Sequence, residues 1–471
     1  MLQDRRTAHL ALVVPTQGRS RLFFFLGPAA LVSVGYMDPG NWATDLEGGA
    51  RFGYQLLWVL VVSNIFALLL QTLATRFGAV TGLDLAQACR TSYSKSVARA
   101  LWILAELAII ACDLAEVLGS AIALNLLFGI PMIWGALLTA LDAFLILALQ
   151  RYGVRMREAI IVVLIFTIAV CLGIELWVVQ PKVRDIATGF MPRLDANSLY
   201  IAIGILGATV MPHNLYLHSS LVKTREIEPT SAGKKEALRA YFIDTALALN
   251  VALLINAAIL ILSAAVFASR NIPVTDIREA HHLLTPLLGT AAASTLFAVA
   301  LLAAGQSSTI TGTLAGQIIL EGFVNLRLPP LLRRMVTRLS ALVPVVGTLA
   351  FFGEESTLPL LVGSQVILSL QLPFAVVPLM RLTGSSALMG DFMNRPLIKV
   401  LAIICAALII TANGALIARV FLEWEHCSMI TAFLAVSIVS GAGLLLAWIS
   451  LVPLRVNSVA RCIGASVSSI T

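Results

Sequence analysis

The chain has 471 residues, of which 59% are hydrophobic and 12% charged, with a mean hydropathy of +0.93. Soluble domains carry about 25% charged residues, so this composition excludes a water-soluble enzyme and a disordered chain and leaves a polytopic membrane protein. The net charge of +7 reads as basic loops on one side of a membrane, not as a nucleic-acid surface.

A helix needs about 20 mostly apolar residues to cross the hydrocarbon core. Twelve such stretches are predicted, centred near residues 35, 65, 113, 141, 169, 209, 254, 304, 343, 368, 409 and 442. Ahead of them, Arg5 and Arg6 precede an apolar run, Ala8 to Val14, that is too short for a signal peptide and reads as uncleaved. The longest polar connection, Lys223 to Arg239, is predicted to be a basic loop. Most of the Lys and Arg residues fall on the side of the N-terminus. Because basic residues favour the cytoplasmic side, both termini are expected inside. The six cysteines (Cys89, Cys112, Cys171, Cys405, Cys427 and Cys462) form no C-x-x-C pair, which argues against a disulfide framework and a cysteine-bound zinc.

Two spans are interrupted. The first carries Tyr36-Met37-Asp38-Pro39-Gly40-Asn41, and the sixth carries Ala208-Thr209-Val210-Met211-Pro212-His213-Asn214. Proline inside a helix removes an N–H and clashes with the preceding turn. At membrane depth, freed backbone groups survive only where they line a cavity or are buried in protein. Aligning Pro39 with Pro212 also aligns Asn41 with Asn214, and each break opens a set of five spans. Since five is odd, the second set starts from the opposite side, which gives an inverted repeat. Matching interruptions in two halves point to a transporter's binding site, although two ordinary proline kinks would show the same prolines.

Asp38 near the bilayer centre must pair, protonate or bind a cation, since an uncompensated charge there costs about 2.5–3.5 kcal/mol on insertion scales. Asn41, one turn on, offers an amide oxygen. Carboxylate, amide and backbone oxygens alone suit Mg²⁺ or Ca²⁺ equally well; the Met211 thioether points towards softer Mn²⁺ or Fe²⁺. On spacing alone, Met211 is open between packing and ligation.

Span 3 places Glu106, Asp113 and Glu116 on one helix face. That face should look into the bundle, and intramembrane acid chains commonly mark proton relays. Span 9 supplies Arg333 and Arg334 at its start and Arg338 about a turn deeper, so a buried ion-pair network that only joins spans 3 and 9 is the alternative. His213 and His218 lie beyond the second break, where His213 is expected to bond neighbouring helices or tune the proton affinity of Asp38. His281 and His282, after Glu279, read as a solvated external pair.

The strings DPGNWATDLEGGA from Asp38 and GATVMPHNLYLHS from Gly207 closely resemble the Nramp family of proton-coupled divalent metal transporters. The likeness extends to spans 3, 8, 9 and 10. It implies an all-α membrane protein with the LeuT-like 5+5 inverted repeat and broken helices 1 and 6. The repeats would span residues 22–180 and 197–382, after a cytoplasmic segment 1–21 and before two further helices in 398–454.

The resemblance also implies that Asp38, Asn41, Met211 and the Ala208 carbonyl hold the metal, with Gln365 of span 10 approaching it in some conformations. The helix breaks are Pro39, Gly40 and Pro212. Asp38, His213, His218, Glu106, Asp113, Glu116, Arg333 and Arg334 match the proton pathway, and Arg338 is the looser match. Mn²⁺ or Fe²⁺ would be cargo and H⁺ the co-substrate, with no resident cofactor. The expected partners are metal ions, protons and the lipid bilayer, with no nucleic acid and no obligate protein partner. Magnesium-carrying relatives lack the methionine, so Met211 argues against Mg²⁺. A bacterial inner membrane is the expected location. The competing readings are a sodium-coupled organic-solute symporter of the same fold and a divalent-metal channel. No nucleophile–base pair or nucleotide loop suggests an enzyme.

Overall fold

The computed structural model describes Phe25, residues 27–141, 154–270, Ile277, 291–422 and 429–455. The expected segment 1–21 with Arg5 and Arg6, and the pair His281–His282 with Glu279, lie outside the described residues.

The first interrupted span is α1 (Pro28–Ser33), which tightens into a 3₁₀ turn at Val34–Met37, followed by α2 (Pro39–Phe52). Then come α3 (Leu57–Thr81), α4 (Lys95–Phe128), α5 (Met132–Leu138) and α6 (Val154–Val179). The second interrupted span is α7 (Leu199–Thr209) and α8 (Pro212–Leu221), followed by α9 (Ser231–Val266), α10 (Ala291–Val324) and α11 (Pro330–Phe352). Last are α12 (Thr357–Gln371), α13 (Pro373–Thr383), α14 (Pro396–Leu422) and α15 (Met429–Leu451). Among the described residues, nine helical stretches are long and apolar enough to cross a membrane, and three shorter apolar helices accompany them. The twelve expected centres all fall on helical turns, the fourth at Leu141 on the edge of the described residues.

Burial sorts these helices. The windows of α4 and of the α7–α8 pair are almost wholly enclosed, whereas α6 and α14 are largely open. Phe166 and Trp177 of α6 are 68% and 76% exposed, which in an integral membrane protein is the surface that meets lipid. The enclosed helices carry the polar residues, because buried polar groups find partners there that lipid cannot give. Helix α4 packs against α10, α11 and α12, and α9 packs along α2 and α3.

One expectation is corrected. The Lys223–Arg239 stretch is not all loop: α9 starts at Ser231, where Thr230 Oγ1 accepts the Gly233 N–H at 3.0 Å. That hydroxyl satisfies one of the N–H groups orphaned at a helix start. With 36 residues, α9 runs about 54 Å at 1.5 Å per residue, well beyond a ~30 Å hydrocarbon core. Its basic first turns therefore stand outside the apolar layer. At the opposite membrane face, ahead of α7, Asp195 accepts the N–H groups of Ser198 at 2.7 Å and Asn197 at 2.9 Å. These bonds, the Ser198 contact foremost, hold its carboxyl below the usual carboxylate range.

Candidate metal centre

Each break follows from what proline cannot do. In the 3₁₀ turn that continues α1, the α-helical partner of the Gly35 carbonyl would be the N–H of residue 39, and Pro39 has none. In α7, the Ala208 carbonyl stands in the same relation to Pro212. Both prolines occupy the first turn of a new half-helix, where the missing N–H costs nothing. Asp38 and Met211 precede them in extended conformation, at φ −68°, ψ 166° and φ −66°, ψ 123°.

The two breaks resolve their orphaned carbonyls differently. Asn41 Nδ2 donates back to Gly35 O at 3.2 Å and to Asp38 Oδ1 at 3.1 Å. Asp38 Oδ1 also caps α2 by accepting the Asn41 N–H at 2.7 Å. Asn214 does not repeat the manoeuvre: its Nδ2 reaches across to Val32 O of α1 at 3.5 Å. Among the described residues the Ala208 carbonyl accepts no bond from a side chain or from the residues of the break. An amide, a carboxylate and an open carbonyl thus line the interruptions, together with the buried Met211 beside Ala108, Ala111 and Leu368.

Gln365 of α12 contacts both breaks. A Cβ at Gly40 would collide with its side-chain amide, and a Cβ at Gly207 would collide with its backbone carbonyl. Glycine at both positions is what lets α12 come so close. Gln365 Nε2 donates to Ser364 Oγ at 2.9 Å, and its Oε1 is buried without a partner.

Charge separates Asp38 from the acids of span 3. Among the described residues no Lys, Arg or His forms an ion pair with it, and its Oδ2 is buried with no hydrogen-bond partner. By contrast, the span 3 acids are matched. Arg334 Nη1 lies 2.7 Å from Asp113 Oδ1 and Arg334 Nη2 lies 3.5 Å from Glu116 Oε2. Arg338 Nη1 is 3.0 Å from Asp113 Oδ1, and Arg333 Nη2 is 2.6 Å from Glu106 Oε2. Three carboxylates of α4 face three guanidinium groups of α11, a balanced set. Asp38 is left with nothing but its own half-helix N–H and an amide.

Comparison with known proteins follows the same lines. The family model described as Nramp, natural resistance-associated macrophage protein-like, matches residues 29–419. The chain belongs to the Nramp family. A divalent metal cation transporter MntH of Nostoc sp. is 52% identical over 423 residues, covering 88% of this chain and 96% of that protein. A second MntH, from Listeria innocua, is 56% identical over 387 residues, covering 81% and 86%. A crystal structure of the Eremococcus coleocola manganese transporter superposes with a TM-score of 0.85 at 39% identity, covering 96% of this chain and 98% of that one. The Nramp chain is therefore an integral membrane protein with the LeuT-like fold, and its relatives are named as transporters, not enzymes.

Within this Nramp chain, the expected proton-pathway residues fall into separate groups. His213 Nε2 lies 3.8 Å from Cys112 Sγ, whose thiol donates to Glu116 Oε1 at 3.7 Å, and Ser308 Oγ donates to the same oxygen at 2.9 Å. His213 thus connects to α4. His218 does not: its Nδ1 is 3.0 Å from Gln71 Oε1, and Gln71 Nε2 donates to Tyr36 OH at 2.8 Å. Glu106 is tied to Trp102 Nε1 at 2.9 Å as well as to Arg333.

Ser308, Gln71 and Asn256, whose Nδ2 donates to Tyr36 O at 2.7 Å, were not named from sequence, and Cys112 and Tyr36 were named without these contacts. Gln71 and Asn256 interrupt apolar runs, the one signal that could have found them, whereas Ser308 lies inside the polar run from Gln306 to Thr309. Asp45 was missed too. It is buried on α2 two turns beyond Asp38, and neither of its carboxylate oxygens has a hydrogen-bond partner.

The tight glycine contacts give a direct test. Gly207→Ala is expected to cost about 1–3 kcal/mol, as overpacking does, because the new methyl would run into the backbone of α12 at Gln365 O and Ser369 N, which cannot turn aside as a side chain can. A melting curve in detergent reads it, and an unchanged midpoint would mean α7 and α12 are not in close contact.

Proposed function

We propose that this chain is a secondary importer of Mn²⁺ and Fe²⁺ that couples entry to protons by alternating access. The observation that carries the reading is the Asp38 carboxylate: buried, without a counter-charge, bonded only within its own half-helix, and in a break that Gln365 ties to the one carrying the Ala208 carbonyl and Met211. A fixed anion of this kind is stable in a membrane interior only with a cation or a proton on it. Asp38, Asn41, the Ala208 carbonyl and Met211 would supply the donors, with Gln365 completing them as α12 moves. The single thioether among oxygen donors favours transition-metal ions over Ca²⁺ and Mg²⁺. The names of the Nostoc, Listeria and Eremococcus relatives support the same cargo class.

The membrane potential alone favours inward movement of a divalent cation by roughly twice 2.3 kcal/mol per 100 mV. Proton coupling therefore rests on groups that can hold and pass a proton. His213, Cys112 and Glu116 form a line of polar atoms from the second break into α4, and Glu116 hands on to Arg334 and Asp113. In this reading Asp38 exchanges its proton for metal, and the proton leaves along that line. His218 and Arg333–Glu106 would hold the helices around it. The bundle would sit in a bacterial inner membrane with both termini cytoplasmic, its two five-helix repeats covering 22–180 and 197–382.

The direct experiment is Mn²⁺ uptake into proteoliposomes carrying an internal pH dye, against excess Mg²⁺ and Ca²⁺. Saturable entry that resists competition and acidifies the lumen is expected. No Mn²⁺ entry by folded protein would overturn the reading. Within that assay, Asp113→Asn is expected to keep Mn²⁺ binding but lose most of the acidification. If acidification persisted unchanged, the relay role of the α4 acids would be wrong.

A further inference from the structure

Where α3 ends, α9 begins and the chain turns into α14, a cavity of about 820 Å³ opens at the membrane–water boundary. Arg76, Lys235, Arg239 and Arg395 line it, against two carboxylates, Glu236 and Asp391. Among the described residues none of these four cations forms an ion pair. The excess positive charge is thus built into the cavity and not consumed by the fold. Four cations gathered from three chain segments against two carboxylates leave an excess of positive charge that calls for an anion with several acceptor oxygens.

The rest of the wall decides what kind of anion. Phe242 of α9 and Ile398 of α14 line the same cavity, and Phe242 is 47% exposed. Near them, Leu397 in the first turn of α14 is exposed, and deeper along the two helices so are Leu247 on α9 and Val400 on α14, helices long and apolar enough to span a membrane. Charge at the cavity with exposed apolar side chains on both flanking helices matches a molecule that is phosphate at one end and hydrocarbon at the other. Basic pockets between membrane helices on the cytoplasmic side are suited to such headgroups.

We propose that this cavity binds the phosphodiester headgroup of an anionic phospholipid, whose acyl chains lie along Phe242 and Ile398. Arg76 and Arg395 come from α3 and from the turn before α14, so one headgroup would bridge the ten-helix core to the first of the two extra C-terminal helices. The site is separate from the metal centre, and its test does not depend on transport.

The test is lipid titration of the purified protein followed by native mass spectrometry, with phosphatidylglycerol, phosphatidylcholine and inorganic phosphate as separate probes. Phosphatidylglycerol is expected to bind more tightly than phosphatidylcholine, and the double variant Arg76→Gln/Arg395→Gln to bind it roughly thirtyfold more weakly. Lys235→Gln, at an exposed position on the first turns of α9, serves as a milder variant with a smaller loss should the double variant fail to fold. Equal binding of the two lipids, or unchanged binding by the variants, would overturn the proposal. So would inorganic phosphate displacing the lipid at equal concentration, which would make the ligand a free anion.

Discussion

Replacing Asp38 with alanine is expected to abolish saturable Mn²⁺ uptake and Mn²⁺ binding, a loss of at least about a hundredfold if the carboxylate supplies some 2.7 kcal/mol of the binding energy. The alanine change also removes the cap of α2, worth about 1 kcal/mol, so it mixes a folding effect with a chemical one. Asp38→Asn separates them. Asparagine caps a helix as well as aspartate does, and its amide oxygen can still accept the Asn41 N–H now bonded at 2.7 Å. Only the charge is lost. If Asp38→Asn kept the melting temperature and lost binding in isothermal titration, the anion itself would be the metal-holding group. Saturable uptake by either variant would place the cargo elsewhere, and Asp45, as buried as Asp38 and with neither oxygen partnered, would be the next carboxylate to remove.

The second large effect is on selectivity. Met211→Ala is expected to leave measurable Mn²⁺ transport with an affinity about tenfold weaker, a 1.4 kcal/mol change, and to raise Ca²⁺ and Mg²⁺ entry. The thioether is the one donor in the set that a hard ion does not use. Truncating a buried methionine also leaves a cavity that costs about 2–5 kcal/mol, and Met211 is fully buried against Ala108, Ala111 and Leu368. Met211→Leu answers this by keeping the volume and deleting the sulphur, at under about 1.5 kcal/mol. Lost discrimination in both variants assigns selectivity to the sulphur. Discrimination lost only in the alanine variant would assign it to packing, and discrimination kept in both would end the thioether argument.

Much of the fold was legible because a membrane makes polar residues conspicuous. Pro39 and Pro212 in otherwise apolar runs marked both interruptions, and the 5+5 order followed from their spacing. The three acids of span 3 announced partners on the bundle interior, and Arg333, Arg334 and Arg338 prove to be those partners. What was not legible depends on which way a side chain turns. Nothing in Pro-x-Asn says that Asn41 folds back on Gly35 while Asn214 crosses to Val32. His213 and His218 both match the proton pathway by resemblance, yet they enter different networks because residues five apart on a helix point some 140° apart. The extension of α9 was hidden for the opposite reason: outside the bilayer, a basic helix and a basic loop have the same composition.

The unequal breaks have a consequence for release. The proposed donors are divided between the repeats: the anion and amide belong to one half-helix junction, the thioether and open carbonyl to the other. Gln365 and Asn214 hold the two junctions together, and no donor pair on either side suffices alone. Any rocking of one repeat against the other pulls the shell apart along its seam. In the proposed importer, affinity would then read how closely the two halves of the molecule are shut, and the motion that exposed the ion to water would be the motion that loosened its grip.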